Sequence, residues 1–191
     1  ESLTVYAFST ENWKRPKAEV DFLLTLMRKT IRDEIDELLE NGVKINFVGR
    51  KDYLSDKFIQ EIEHIEQKSA GNSNLILNIA FNYGGRAEIL DAAKKIAAAH
   101  KNEGLDLDNL TESDFANYLY ENDLQEIELL IRTGGDLRLS NFLLWQSAYA
   151  ELFFTEKYWP DFTEADLREA INDFKNRDRR FGGLNDGDSY A

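Results

Sequence analysis

Leu75-Ile-Leu-Asn-Ile-Ala-Phe81, closed by Asn82-Tyr-Gly-Gly-Arg86, is the stretch whose reading decides the fold. Six of its first seven residues are apolar and the run stops at a glycine pair. So continuous a run reads as a strand buried on both faces, which is the habit of strands in parallel sheets. The flanking sequence agrees. Upstream, Ser55 caps a helix over residues 56–68 whose Phe58, Ile59, Ile62 and Ile65 share one face, and residues 43–49 form another apolar strand. Before these come a long helix over 19–41, closed by Gly42, and a strand over 3–9. Downstream, helices are expected over 86–100 and 113–122, and strands over 127–132 and 151–155, separated by residues 141–150. Thr163 caps a last helix reaching about residue 179, with Asp166 as its capping-box partner. Strands alternating with helices imply an α/β fold with a mostly parallel central sheet flanked by helices.

The chain has 191 residues, 42% of them hydrophobic and 12% aromatic, enough to bury the core of a single domain over 1–191. Its net charge of −13, from 36 acidic against 23 basic residues, repels phosphate backbones and anionic surfaces, so nucleic acid is excluded as an expected partner. The arginines are nevertheless concentrated: Arg132, Arg138, Arg177, Arg179 and Arg180 all fall in the last third. There is no cysteine, and His64 and His100 stand in polar helical surroundings with no second ligand nearby, so a zinc site is not expected. No apolar run approaches the roughly 18 to 20 residues of a membrane-spanning helix. The chain opens on Glu1 directly before a strand, which suggests that an N-terminal strand and helix portion precedes it.

In parallel sheets, ligands gather beyond the carboxyl ends of the strands. Those ends carry Ser9-Thr-Glu-Asn-Trp-Lys-Arg15, Asn82-Tyr-Gly-Gly-Arg86 and Arg132-Thr-Gly-Gly-Asp-Leu-Arg-Leu-Ser140. Gly134 and Gly135 would bring backbone N–H groups close to an anion. Arg132 and Arg138 can bind it in bidentate fashion, and Ser140 offers a hydroxyl near the start of the next helix. The expectation is a pyrophosphate site; the alternative is a plain turn with solvated arginines. Dinucleotide and nucleoside-triphosphate fingerprints are absent, as is the Asp-Asp-x-x-Asp metal motif of the all-helical isoprenoid synthases. In the long helix, Val20, Phe22, Leu23, Leu24, Leu26 and Met27 are apolar on more than one face, whereas Ile31, Ile35, Leu38 and Leu39 keep to one stripe. Either that end is fully buried, or one face meets the sheet and another borders an elongated apolar tunnel. An anion site beside such a tunnel suits an amphiphile such as a prenyl pyrophosphate.

Several longer motifs share one resemblance. Leu3-Thr-Val-Tyr-Ala-Phe-Ser-Thr-Glu-Asn-Trp-Lys-Arg-Pro16, Leu77-Asn-Ile-Ala-Phe-Asn-Tyr-Gly-Gly-Arg86, Ile131-Arg-Thr-Gly-Gly-Asp-Leu-Arg-Leu-Ser-Asn-Phe-Leu-Leu-Trp-Gln146, Ala148-Tyr-Ala-Glu-Leu152 and Trp159-Pro-Asp-Phe162 resemble the cis-prenyltransferases, most of all the bacterial undecaprenyl pyrophosphate synthases. The resemblance implies sequential condensation of isopentenyl pyrophosphate onto farnesyl pyrophosphate, with Mg2+ as cofactor. The product would be a long polyprenyl, undecaprenyl-type, pyrophosphate carrier for cell-wall biogenesis. It also implies a homodimer and a cytoplasmic location from which product passes to the membrane. Ser9, Asn12, Trp13, Arg15 and Glu19 match the family's catalytic-loop motif, where the indole helps place the allylic substrate. Arg132, Arg138 and Ser140 match its isopentenyl pyrophosphate site, and Glu151 matches its magnesium glutamate. Arg179 and Gly182 match a C-terminal motif that completes the site of the other subunit.

Two departures stand out. The family's first motif, with a pyrophosphate-cradling loop and a magnesium aspartate, has no counterpart here, so this chain by itself is expected to be a poor catalyst. Asp136 stands where the bacterial enzymes more often carry Glu. Two rival classes remain open: a non-catalytic partner subunit of the same family, against which Arg132, Arg138 and Ser140 speak, and an unrelated α/β phosphate-binding enzyme.

Overall fold

A computed structural model describes residues 1–120, 124 and 126–179. The chain divides into two compact units, residues 1–122 and 123–191. In the first, β1 (Ser2–Ser9) runs through a 3-10 turn (Thr10–Lys14) into α1 (Lys17–Glu40), followed by β2 (Val43–Val48), α2 (Asp56–Ser69), β3 (Leu75–Tyr83), α3 (Gly85–Glu103) and the short α4 (Glu112–Ala116). The second holds β4 (Leu129–Arg132), β5 (Glu151–Phe154), a 3-10 turn (Trp159–Asp161) and α5 (Glu164–Lys175).

The order in the first sheet is β1-β3-β2, so the apolar stretch 75–81 lies in the central strand. It pairs parallel on both sides, Leu3 and Ile45 both lying beside Leu77. β4 and β5 form a second parallel ladder, Leu129 beside Glu151 and Arg132 beside Phe154. The expected α/β architecture with parallel strands is what forms, its strands shared between two ladders among the described residues.

On one face of the first sheet, Phe8, Val20, Phe58, Ile62 and Phe81 are buried together, and Leu23, Leu24 and Met27 of α1 lean on them. Val43, Ile45 and Ile65 continue the core beneath Ile31, Ile35 and Leu38. This is the single stripe expected for the later part of α1. Its other early apolar residues do not join: Phe22 is 63% exposed and Leu26 47%, so that end of the helix does present a second apolar face. Each large side chain fully buried in such a core contributes about 1.5 to 3 kcal/mol. Alternation along β3 turns Asn78 away from this core. Its Oδ1 accepts from Asn46 Nδ2 at 2.9 Å and its Nδ2 donates to Thr4 Oγ1 at 3.4 Å, so a polar ladder crosses all three strands and keeps buried amides partnered.

Local signals set most helix ends. Ser55 accepts from the Phe58 N–H at 3.3 Å, and Gly42 follows α1 at φ +73°. Two expected helices are shorter than their patterns. The helix foreseen over 113–122 is α4, capped by Thr111 and ended at Ala116. The amides of Asn117, Tyr118 and Leu119 tighten onto carbonyls three residues back, while the Tyr120 N–H turns to the Glu88 carboxylate at 3.1 Å. α5 stops at Lys175 in the same way, with Asn176 and Arg177 bonded to Asp173 and Phe174. No helix among the described residues is long and apolar enough to cross a membrane.

α5 begins as its sequence indicated. Asp166 accepts from the Thr163 N–H at 2.8 Å and hydroxyl at 2.7 Å, and also takes the Lys157 ammonium. Lys157 first, then Thr163, hold the Asp166 carboxyl down at about 2. An unfolded aspartate titrates at about 4. A carboxyl with a depressed folded pKa stabilises the fold fully above the unfolded value and loses that contribution as pH falls toward the folded one. The urea midpoint followed by circular dichroism should therefore drop between about pH 5 and about pH 2.5, and Asp166→Asn should drop less over the same interval.

Candidate functional site

Because β1, β2 and β3 run the same way, their carboxyl ends finish at one edge of the sheet, Ser9 lying beside Tyr83. Three segments leave that edge: the 3-10 turn after β1, residues 49–54 after β2, and residues 82–84 before α3. They approach closely. A Cβ on Gly49, which has φ +146°, would lie 1.9 Å from the Phe81 carbonyl oxygen, so only glycine fits. The Arg50 N–H donates to the Asn82 carbonyl at 3.2 Å.

The 3-10 turn Thr10–Lys14 has its own fastenings. Asn12 Oδ1 reaches back to accept from the Ser9 N–H at 2.7 Å, and the Asn12 carbonyl accepts from the Arg15 N–H at 3.0 Å. Two of the three predicted catalytic residues, Ser9 and Asn12, thus shape the turn. Trp13 packs edge-on against Phe8, ring centroids 5.0 Å apart, and lies 5.5 Å from Tyr53, while its Nε1–H donates to Asn82 Oδ1 at 2.7 Å. Arg15 and the third predicted catalytic residue, Glu19, pair at 2.8 Å, both about half exposed. Such a pair contributes at most about 1 kcal/mol and opens readily to a stronger anion. Below the turn, the Tyr6 hydroxyl donates to the Tyr83 carbonyl at 3.0 Å, and burial, aided by Glu11, pushes it up to about 12, so it stays a neutral donor.

The sequence places Asn82 at this edge, in the Asn82–Arg86 segment, but not as the partner of Trp13, and Asp52 and Tyr53 were not foreseen there. A polar residue ending an apolar strand was the signal available for Asn82. Residues 50–53 gave none, because Tyr53 reaches Trp13 through a positive φ of +66°. Nearby, Arg50 makes a two-pronged bond to Asp91 at 2.7 Å, and this guanidinium holds the Asp91 carboxyl below the usual range. The Tyr120 hydroxyl donates to the same carboxylate at 2.6 Å, and burial first, then that bond, raises its pKa. This knot ties the end of β2 to α3.

In the second unit the predicted anion residues do gather. At the end of β4, Arg132 Nη1 donates to Ser140 Oγ at 2.6 Å and to the Arg138 carbonyl at 2.7 Å. Asp136 takes Arg132 Nη2 at 2.8 Å and Arg138 Nη2 at 2.5 Å. Arg138 remains 65% exposed and Arg132 22%. Since Ser140 Oγ accepts from Arg132, its own hydroxyl hydrogen is left to donate.

Two details of the expectation are corrected. The Gly134 and Gly135 amides are not available to an anion, because they donate to the Lys157 and Thr155 carbonyls at 2.7 and 2.9 Å. The glycines serve φ values of +88° and +78° and fasten the loop to the segment after β5. Nor does a helix start after Ser140: residues 141–149 are turns, and Ser140, Asn141 and Leu143 have φ of +51°, +63° and +44°. The candidate site rests on guanidinium and hydroxyl groups, without a helix terminus.

Glu151 is placed apart from this loop. It lies beside Leu129 at the amino ends of β4 and β5, and Arg132 ends β4 three residues on, about 10 Å along the strand. Glu151 Oε2 accepts from Arg177 Nη1 at 2.8 Å, and Arg177 also pairs with Asp173. These two carboxylates, Glu151 first, raise the Arg177 pKa. Arg179 rests over the Phe174 ring at 5.6 Å and reaches Glu128 at 3.4 Å, and Gly182 lies outside the described residues. One carboxylate can hold Mg2+ when water and substrate oxygens complete the coordination. Here that carboxylate is taken by an arginine, and no three His, Asp or Glu residues gather among the described residues. The residues in view do not compose a magnesium site by themselves.

Both the sequence and the fold have counterparts among known proteins. Residues 1–182 match the family model described as "Putative undecaprenyl diphosphate synthase". Isoprenyl transferase of Bacillus subtilis is 48% identical over 182 residues, covering 95% of this chain and 70% of that protein. Isoprenyl transferase of Thermotoga maritima is 48% identical over 189 residues, covering 97% and 78%. Among solved structures, lavandulyl diphosphate synthase from Lavandula x intermedia, in complex with dimethylallyl diphosphate, superposes with a TM-score of 0.91 at 37% identity, covering 95% of this chain and 78% of that one. A probable undecaprenyl diphosphate synthase from Campylobacter jejuni does so with a TM-score of 0.85 at 36% identity, covering 95% and 83%. With its parallel-stranded α/β fold and a match of this extent, the chain belongs to the cis-prenyltransferase family and is a transferase.

Proposed function

We propose that this transferase lengthens an allylic pyrophosphate, farnesyl pyrophosphate in the first instance, by successive cis additions of isopentenyl pyrophosphate, producing a long polyprenyl pyrophosphate of undecaprenyl type. The observation that carries the reading is the convergence of Arg132, Arg138 and Ser140 in one loop, with Asp136 spacing the two guanidiniums. That geometry suits a pyrophosphate headgroup. The exposed Arg138 would meet it by charge-assisted bonds, the Ser140 hydroxyl would donate to it, and Arg132 would hold both in place. Support for an allylic partner comes from the lavender relative, solved with dimethylallyl diphosphate.

In the proposed reaction a carbon–carbon bond forms between the isopentenyl double bond and the allylic carbon, pyrophosphate leaves that carbon with its electron pair, and a proton is then lost from the isopentenyl unit. The chain's own part is to bind and orient. Arg132, Arg138 and Ser140 hold the isopentenyl headgroup, Trp13 meets the allylic hydrocarbon, and Arg15 faces the allylic pyrophosphate once freed from Glu19. The exposed Phe22 and Leu26 of α1 suit the growing tail. Mg2+, implied by family resemblance, would supply charge neutralisation for the pyrophosphate when bound; Glu151 is the residue of this chain that the resemblance assigns to it, and in this structure it is held by Arg177. A homodimer, with Arg179 and Gly182 serving the other subunit, belongs to the same proposal, as does delivery of product to a membrane from the cytoplasm.

Incubating the full-length protein with farnesyl pyrophosphate, radiolabelled isopentenyl pyrophosphate and Mg2+, then sizing products by chromatography, tests the reading. A ladder of extended polyprenyl products is expected, and absence of any elongation overturns it. In steady-state kinetics, Arg132→Ala should raise the KM for isopentenyl pyrophosphate by about 10- to 100-fold, the worth of a charge-assisted bond, with little change in the allylic KM. Trp13→Ala should do the reverse. Equal effects of both changes on both substrates would refute the division of labour.

A further inference from the structure

We infer that Asn82 is a positioning residue for the allylic half of the site: it sets the Trp13 indole, and the Tyr53 ring beside it, in the orientation in which they meet the substrate's hydrocarbon. The inference rests on the proposed role of Trp13.

Asn82 is 1% exposed, and its side-chain amide is fully engaged. Oδ1 accepts from Trp13 Nε1 at 2.7 Å. Nδ2 donates to the Arg50 carbonyl at 3.0 Å, to the Asp52 carbonyl at 2.8 Å and to Asp52 Oδ1 at 3.2 Å. One amide therefore joins the turn after β1 and the loop after β2 to the central strand. A backbone φ of +49° aims it there, a value asparagine tolerates better than most residues. A buried amide left without partners is costly, so these bonds hold the two segments together.

The consequence for Trp13 is geometric. An indole has one polar atom, and anchoring Nε1 while Phe8 abuts the ring at an interplanar angle of 70° leaves little freedom to rotate. The bonds to Asp52 act on the next residue, Tyr53, whose ring is 77% exposed yet lies 5.5 Å from Trp13. The two rings form an aromatic pair at the edge of the sheet, Trp13 half-buried against the core and Tyr53 exposed, held from behind by Asn82. In that hold the Asp52 carboxylate bonds the Asn82 amide, and the two uncharged rings offer a surface suited to hydrocarbon, distinct from the pyrophosphate-directed Arg15.

The test uses the full-length enzyme with Trp13→Phe, which keeps a ring and removes the N–H, alongside Asn82→Ala, the double variant, and Trp13→Ala as reference. Trp13→Phe and Asn82→Ala are each expected to raise the KM for the allylic pyrophosphate about tenfold, the scale of one buried hydrogen bond, while the KM for isopentenyl pyrophosphate stays within about twofold. The double variant should be no worse than the weaker single variant, because both remove the same bond. Multiplying effects, or an equal rise in both KM values, would overturn the assignment. Should Asn82→Ala not fold, Trp13→Phe decides alone. An allylic KM unchanged by Trp13→Phe but raised by Trp13→Ala would refute the positioning role and leave the allylic reading standing. An allylic KM unchanged by Trp13→Ala as well would sink both.

Discussion

β3 lies between β1 and β2, parallel to each, and the first unit's candidate chemistry hangs on that placement. A central strand must satisfy its backbone N–H and C=O groups on both sides, so its register with two neighbours is set at once. Parallel direction then sends all three carboxyl ends to one edge, where Ser9 meets Tyr83 and Gly49 comes so near Phe81 that a Cβ has no room. Side chains from three segments can meet there because the sheet beneath them leaves no slack. The Trp13–Asn82 bond spans 69 positions of sequence, yet it costs little loop entropy once the ladder has formed.

The arginine loop of the second unit solves a different problem. Two guanidiniums held near each other repel, and a loop with no regular structure would let them drift apart. Asp136 lies between them and offsets the repulsion, while the Gly134 and Gly135 amides fasten the loop to the carbonyls of Lys157 and Thr155. Lys157 in turn pairs with Asp166 at the start of α5, so helix cap and arginine loop share an anchor. With the amides bonded to scaffold carbonyls, the proposed anion site has its charge set by side chains and its shape set by backbone.

Much of this was legible in the sequence, for physical reasons. Residues 75–81 declared a buried strand because hydrophobic continuity requires cover on both faces, and Ser55, Thr163 and Asp166 declared helix starts because capping is a contact over three residues. Arg132, Arg138 and Ser140 could be grouped because they lie within nine residues. What failed also has a reason. α4 and α5 ended early where amides turned to carbonyls three residues back and, in one case, to a distant carboxylate on Glu88. Gly134 and Gly135 looked like an anion cradle because sequence shows that an amide can approach something, not what it already holds.

By itself the sequence determined the class of fold, the positions of its caps, and the concentration of arginine beyond a strand's end, since each follows from composition and short-range periodicity. The tertiary structure decided the rest: that Asn82 would find Trp13 and Asp52, that Glu151 would face Arg177 at the far end of the ladder from Arg132, and that Asp136 would stand between two arginines. Those partnerships depend on strand order and register, which are settled by how the whole set of buried groups is satisfied at once, and no local pattern of residues encodes that.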